Sequence, residues 1–406
     1  MTTLLDQKNN RIRNLIIDLV YFITLLLLAY VCFRLFGWML INYNRQYRSD
    51  IPAYISILDS RPGTRLRLVY VVFRFMLNLT DTEIALNIFL ALVIVVICLC
   101  NHYYIRYFSG CDISRPSHRL ATAFMSVAVI FAGPIYVPRI HPYFYKNTFP
   151  IFAWQSPTQH LLTLFSVLAT VSLFKLMDTY KEKISIPWWL ASAAFFFLSA
   201  YSKPSYILDI APAVIIVFII ELLVKSDVPA GIRFRRLFII GLSLVPAGLY
   251  IIMLYMHIYS GESESEVVVA LTNASGSPHI LVALICCMLF PAIVILFNIR
   301  KVFSDRRFLL IITLALMGLL QMGLLSESGW RSEHGNFTWG CVIGGYMLML
   351  TCMTVFLENC IDRNYLADKK ALKGLYYLMA CGALTLHLVS NIYYFVTMYN
   401  GAGFWR

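Results

Sequence analysis

The chain has 406 residues, 60% of them hydrophobic and 13% charged, with a formal net charge of +12. An ordinary soluble domain carries about 25% charged residues, so the composition excludes a soluble globular protein, and no nucleic-acid partner is expected. Apolar runs recur along the whole length, and a helix rising about 1.5 Å per residue needs about 20 such residues to cross roughly 30 Å of hydrocarbon. The expected fold is all-α: one polytopic transmembrane domain over 1–406 with about 11 transmembrane helices and no separate soluble domain.

The segment Met1 to Asn14 is polar and carries Lys8, Arg11 and Arg13. The first apolar run, Leu15 to Leu40, is too long for a signal-peptide core and lacks a small-residue cleavage site, so it is read as the first span. The first outer loop, 41–83, is expected to hold interfacial helices. Ser49 or Asp50 can cap a short helix with Pro52 in its first turn and Ile51, Ile55 and Leu58 on one face. Leu66 to Leu79 is too short for an ordinary span and reads as an amphipathic segment lying along the interface. Further spans are expected near 84–105, 117–135, 157–177, 187–201, 206–224, 236–258, 279–298, 307–325, 339–357 and 371–397.

Charge placement orients these spans. With a cytoplasmic N-terminus, the segments 1–14, 106–119, 175–183, 225–236, 300–307 and 363–373 lie inside and carry 21 of the 33 Lys and Arg residues. Basic residues concentrate on the cytoplasmic side of membrane proteins, which supports this arrangement and an external C-terminus. The first outer loop is the exception, holding Arg45, Arg48, Arg61, Arg65, Arg67 and Arg74. These arginines either touch lipid phosphates or clamp a phosphate-bearing substrate, for which Arg48, Arg61 and Arg65 are the candidates.

Candidate chemistry gathers in the outer segments. Asp50 is either an ordinary helix cap or a general base beside the arginine cluster. Asp59 lies nine residues further, which in a regular helix turns it about 180 degrees away and argues against pairing the two acids. The second outer loop offers His141 and, before the next span, Gln155 and His160, among aromatic residues that also mark membrane interfaces. Lys203, in the short turn Tyr201 to Tyr206, is either a snorkelling charge or a phosphate ligand, with Asp209 a turn deeper. The last outer loop brings Glu327, Arg331, His334 and Asn336 together, as a salt-bridged cap or a sugar or phosphate site. The ten cysteines lie outside the proposed outer loops and show no metal-cluster spacing. No cofactor is expected to be required, and dependence on a divalent metal stays open because the Asp50 region alone supplies too few ligands.

The run Tyr47-Arg48-Ser49-Asp50-Ile51-Pro52-Ala53-Tyr54 resembles the acidic first-loop motif of bacterial polytopic membrane glycosyltransferases of the C superfamily, which use lipid-linked sugar donors. The likeness extends to Trp154-Gln155-Ser156-Pro157-Thr158, Lys203-Pro204-Ser205-Tyr206 and the Glu327 to Trp339 loop, which look like donor-binding elements. Asp50 is not followed by a second acid, a departure from the pattern. The resemblance implies Asp50 as catalytic residue and transfer of a sugar from a polyprenyl phosphate or diphosphate to an envelope glycan or lipid acceptor. It places the protein among membrane lipids in the bacterial cytoplasmic membrane. An envelope polysaccharide polymerase or ligase, and a lipid-linked substrate transporter or flippase, are the alternatives. The latter is expected to show two similar halves, which the sequence lacks.

The charge count predicts that single cysteines replacing Lys8 and Arg235 are labelled only from the cytoplasmic side and one replacing Glu262 only from outside. Strong external labelling at position 235 overturns this orientation.

Overall fold

A computed structural model describes residues 2–41, 50–58, 67–80, 83–137, 150–259, 266–269, 280–329, 336–362 and 364–399. The described chain is helical apart from two short strands. Its elements are α1 (Thr2–Ile41), α2 (Asp50–Leu58), α3 (Leu68–Thr80), α4 (Glu83–Ser109), α5 (Pro116–Ala128), α6 (Pro157–Thr179), α7 (Ile186–Ser202), α8 (Ser205–Leu223), α9 (Ala230–Gly241), α10 (Val245–Tyr259), α11 (Ile280–Phe297), α12 (Ile299–Ser304), α13 (Arg306–Leu324), α14 (Thr338–Ile361) and α15 (Lys370–Tyr399). Strands β1 (Val267–Val269) and β2 (Leu325–Glu327) pair antiparallel, with Val267 opposite Glu327.

Among the described residues, eight helices are long and apolar enough to cross a membrane, which corrects the expected count of about eleven. They are α1, α4, α6, α8, the continuous α9–α10 rod, α13, α14 and α15. The expected spans at 117–135, 187–201 and 279–298 are shorter elements. α5 has 13 residues, about 20 Å of helix. One 3-10 turn, Val129–Phe131, follows it, and the chain then leaves extended at Ala132, ahead of Gly133 and Pro134. α7 has 17 residues, and α11, at 18 residues with Pro291 inside it, is apolar along its length but among the shortest of the bundle's long helices. Hydropathy registers how apolar a run is, whereas spanning also needs continuous helix. Here Pro134 ends one such run and Pro187 sits in the first turn of another, where its missing N–H is harmless.

α14 is the axis of the bundle, with the whole of its spanning window buried. Lipid offers no hydrophobic drive for helix association, so close contact and hydrogen bonds must supply it. Gly318 of α13 lies directly against the backbone of Gly340 and Cys341, and Gly344 against Ala315. Polar pairs complete the contacts: Asn101 donates to Tyr346 Oη at 2.8 Å, the Tyr104 and Thr351 hydroxyls lie 2.7 Å apart, and Asn359 donates to Tyr376 Oη at 2.9 Å. Pro212 inside α8 lacks the N–H that would bond the Leu208 carbonyl, and Gln321 Nε2 of α13 donates to that carbonyl at 2.6 Å instead.

Six basic segments gather at one end of the bundle. Asn14 donates to the Ser114 carbonyl, Arg119 pairs with Asp18 at 2.6 Å, Arg236 donates to the Tyr180 carbonyl, and Arg306 pairs with Glu221 at 2.6 Å. Lys301 pairs with Glu358, and Tyr365 donates to the Phe297 carbonyl. Asp50, Gln155, Lys203, Glu327 and Asn336 occupy the opposite end.

A Cβ at Gly318 would stand 2.7 Å from the Gly340 carbonyl group, whereas one at Gly248 meets nothing within 4 Å. Gly318→Ala is therefore expected to destabilise the protein by about 1–3 kcal/mol and Gly248→Ala to stabilise it by up to about 1 kcal/mol. Thermal unfolding in one detergent checks both signs; equal shifts would show that the α13–α14 contact does not constrain the fold.

Candidate functional site

The site is assembled from the ends of several helices. α6 has 23 residues and α7 has 17, so their antiparallel pair differs in length by about 10 Å and the Lys203 turn sits below the start of α6. This recess forms one end of a cavity of about 510 Å³. Its polar lining includes Arg67, Thr158, Lys203, Gln321, Glu327 and Asn336. Its apolar and aromatic wall comes from Tyr201, Leu208, Tyr250, Leu254 and Phe337, with β1 and β2 closing one side through Val267 and Leu325.

Asp50 opens α2, where the first turn of a helix favours a negative side chain. Its backbone N–H donates to the Gln155 carbonyl at 3.1 Å, which stitches α2 to the segment before α6. The carboxyl lies within electrostatic reach of Lys203, which lines the cavity, and is hydrogen-bonded by the Ser156 hydroxyl. Burial raises the Asp50 carboxyl above the usual carboxylate range, and the Lys203 charge and the Ser156 hydrogen bond pull it partway back. Burial acts on Lys203 in the opposite sense, lowering its ammonium against the pull of Asp50. The Lys203 ammonium lies 3.2 Å from the centre of the Trp339 ring, a cation–π contact inside an apolar setting.

Hydroxyl groups connect this acid to the cavity. Thr158 lines the cavity, and its Oγ1 lies 3.2 Å from Ser156 Oγ and 3.3 Å from the Tyr54 hydroxyl. Burial and the Asp50 charge push the Tyr54 phenol up to about 12, so it remains neutral. Across the cavity, Asn336 Nδ2 donates to Glu327 Oε2, holding β2 against the residues that lead into α14.

Of the sequence candidates, Lys203, Glu327 and Asn336 line the cavity, and Asp50 lies next to it. Gln155 is buried and contributes its carbonyl to Asp50. His160 is fully buried away from the cavity lining, stacked on Phe152 at 5.2 Å and tilted against Phe36 at 5.5 Å. Arg48, Asp59, Arg61, Arg65, His141, Arg331 and His334 lie outside the described residues. Asp209 turns from Lys203 toward Gly340, where its carboxylate occupies the space of a Cβ and both oxygens are buried without hydrogen-bond partners among the described residues.

Arg67, Ser156, Thr158 and Tyr54 appear in the sequence reading only inside the arginine cluster and the motif runs, not as candidate site residues. Arg67 carries a visible signal, as the cation immediately before the amphipathic α3, whose docking delivers it to the cavity. Among the described residues, no group of three or more His, Cys, Asp or Glu is placed to share a metal.

The chain is thus a polytopic, mostly helical integral membrane protein with a mixed polar and apolar cavity at one end. No protein-family model matches it, and a comparison with curated proteins finds no significant match.

Because the Lys203 charge favours ionised Asp50, Lys203→Met is expected to move the Asp50 titration upward by about one pH unit or more. Infrared difference spectroscopy of the carboxyl stretch, with Asp50→Asn to assign the band, reads the midpoint. An unchanged midpoint would remove the electrostatic link.

Proposed function

We propose that this protein is a membrane glycosyltransferase that moves a sugar from a polyprenyl phosphate or diphosphate to an envelope glycan or lipid at the outer membrane face. The observation that carries the reading is a single cavity joining an apolar and aromatic wall to the cations Lys203 and Arg67, with Asp50 beside it. A lipid phosphate needs that combination: fixed positive charge for the headgroup and apolar surface for the chain. Glu327 and Asn336 offer hydrogen bonds to sugar hydroxyls, and Tyr201 and Tyr250 offer flat faces.

In this reading an acceptor hydroxyl oxygen attacks the anomeric carbon as the bond from that carbon to the phosphate oxygen breaks. The electron pair leaves with the lipid phosphate, whose charge Lys203 and Arg67 stabilise. The hydroxyl proton passes to Asp50. Thr158 and Ser156 provide the path: Thr158 takes the proton as it gives its own to Ser156, which gives its own to the carboxylate. The raised affinity of Asp50 for a proton suits a general base.

The six basic segments support a cytoplasmic placement of their end of the bundle by the usual bias of Lys and Arg, which turns the cavity outward. A bacterial cytoplasmic membrane is the setting that fits a polyprenyl-linked donor.

Asp50→Asn keeps the size and much of the capping ability of the side chain but removes the base. Transfer by the purified variant is expected to fall by about 10²–10⁴-fold while folded yield and donor binding persist. Arg67→Gln and Lys203→Gln are each expected to weaken donor binding by about tenfold or more, the loss of one charge-assisted hydrogen bond. Turnover is measured with polyprenyl-linked sugar and acceptor. Near-parental turnover by Asp50→Asn defeats its role, and passage of intact donor across vesicles without bond cleavage replaces the enzyme with a flippase.

A further inference from the structure

The basic end of the bundle holds a second cavity, of about 700 Å³, between α6, α8, α9 and α13. Its charges divide into two groups. On one side Arg307 faces Asp305 at 3.1 Å and Asp178 at 4.0 Å, and Lys301 is paired with Glu358, so two cations meet three carboxylates and carboxylate is in excess. On the other side a single carboxylate, Glu221, serves both Arg306 at 2.6 Å and Lys181 at 3.3 Å. Two more cations stand close to it. Arg233 donates to the Glu221 carbonyl at 2.7 Å, and Arg236 donates to the carbonyls of Tyr180 and Lys181.

Arg233 and Arg236 are engaged by the open carbonyls at the ends of α8 and α6, which accounts for their positions without a ligand. Lys181 and Arg306 are different, because both line the cavity while sharing one acid. Val217, Phe218 and Leu237 form the adjoining apolar wall. With Arg233 and Arg236 included, six cations stand against four carboxylates here, and the excess lies on the Glu221 side beside the apolar wall; such a setting is where phosphate headgroups are held between transmembrane helices.

We infer that this cavity binds a phosphate-bearing anion against Lys181 and Arg306, separately from the Lys203 cavity at the other end. The shared chemistry is a phosphate ester or free phosphate; the apolar wall favours a lipid headgroup.

The test uses the full chain in phosphatidylcholine nanodiscs with increasing phosphatidylglycerol, counting retained lipid by native mass spectrometry, alongside titration with inorganic phosphate. Wild type is expected to retain phosphatidylglycerol saturably. Lys181→Gln is expected to weaken that retention by about fivefold, the effect of one basic residue near a charged headgroup. Lys183→Gln, an equal loss of charge at an exposed position on the same loop, is expected to leave it unchanged. Arg306→Lys keeps a cation beside Glu221 and checks the fold while removing the planar fork, so an intermediate loss is expected. Displacement of lipid by millimolar phosphate assigns the site to a free anion, and indifference to phosphate assigns it to a lipid headgroup; both support the inference. Equal losses in Lys181→Gln and Lys183→Gln, or retention that never saturates, overturn it in favour of general surface attraction.

Discussion

The approach of three helices at Gly340 sets the position of nearly everything at the candidate site. Gly318 brings the α13 backbone onto Gly340 and Cys341, and the Asp209 carboxylate of α8 fills the remaining space where a side chain would stand. Each helix then runs from this junction to the cavity within two turns. α8 leads back to Ser205 and the Lys203 turn, α13 forward to Gln321 and Glu327, and α14 back to Phe337 and Asn336. In lipid, where apolar side chains gain little by leaving the solvent, small residues allow this contact and the packing it gains.

Polar groups inside such a bundle need partners, and the structure supplies them unevenly. The Leu208 carbonyl left open by Pro212 is met by Gln321, which also lines the cavity, so one side chain repairs a helix and shapes a site. Asp50 is the costlier case. Its carboxyl is largely shielded and, among the described residues, meets the Lys203 charge without a close ion pair and the Ser156 hydroxyl. A residue kept only to cap a nine-residue helix gains nothing from that shielding. The same shielding raises the affinity of the carboxyl for a proton, the property that the proposed transfer would use.

The membrane class was legible in the sequence, since apolar runs near the bilayer thickness, repeated along one chain, are what a set of spanning helices requires and what a soluble core does not. The grouping of the basic segments was legible too, because charge bias follows from the membrane and not from side-chain detail. The overcount of spans arose where hydropathy and helix length part: α5 stops after 13 residues although the apolar run continues past Ala128. At the site, Lys203, Glu327 and Asn336 stood out as polar residues between spans. Their grouping did not, because it depends on helix packing. Asp209 is four residues past the Lys203–Ser205 turn yet faces Gly340, while the partner of Lys203 is Asp50, separated by about 150 residues of sequence. His160 shows the converse: an imidazole at a helix start invites a functional reading, and the structure buries it against Phe152, outside the cavity lining.

The two cavities differ in how their charge is organised, and the difference follows from where each lies. At the basic end, cations face carboxylates at ion-pair distances and cap helix ends, so most charge there is consumed by the fold. At the other end, Lys203 sits over Trp339 and is only loosely matched by Asp50, with Arg67 as a second cation. An aromatic face stabilises a cation without neutralising it, which opposes the lowering that burial imposes on the Lys203 ammonium. α8 touches both ends, with Ser205 and Leu208 in one cavity and Glu221 in the other, and Pro212 interrupts its hydrogen bonding between them.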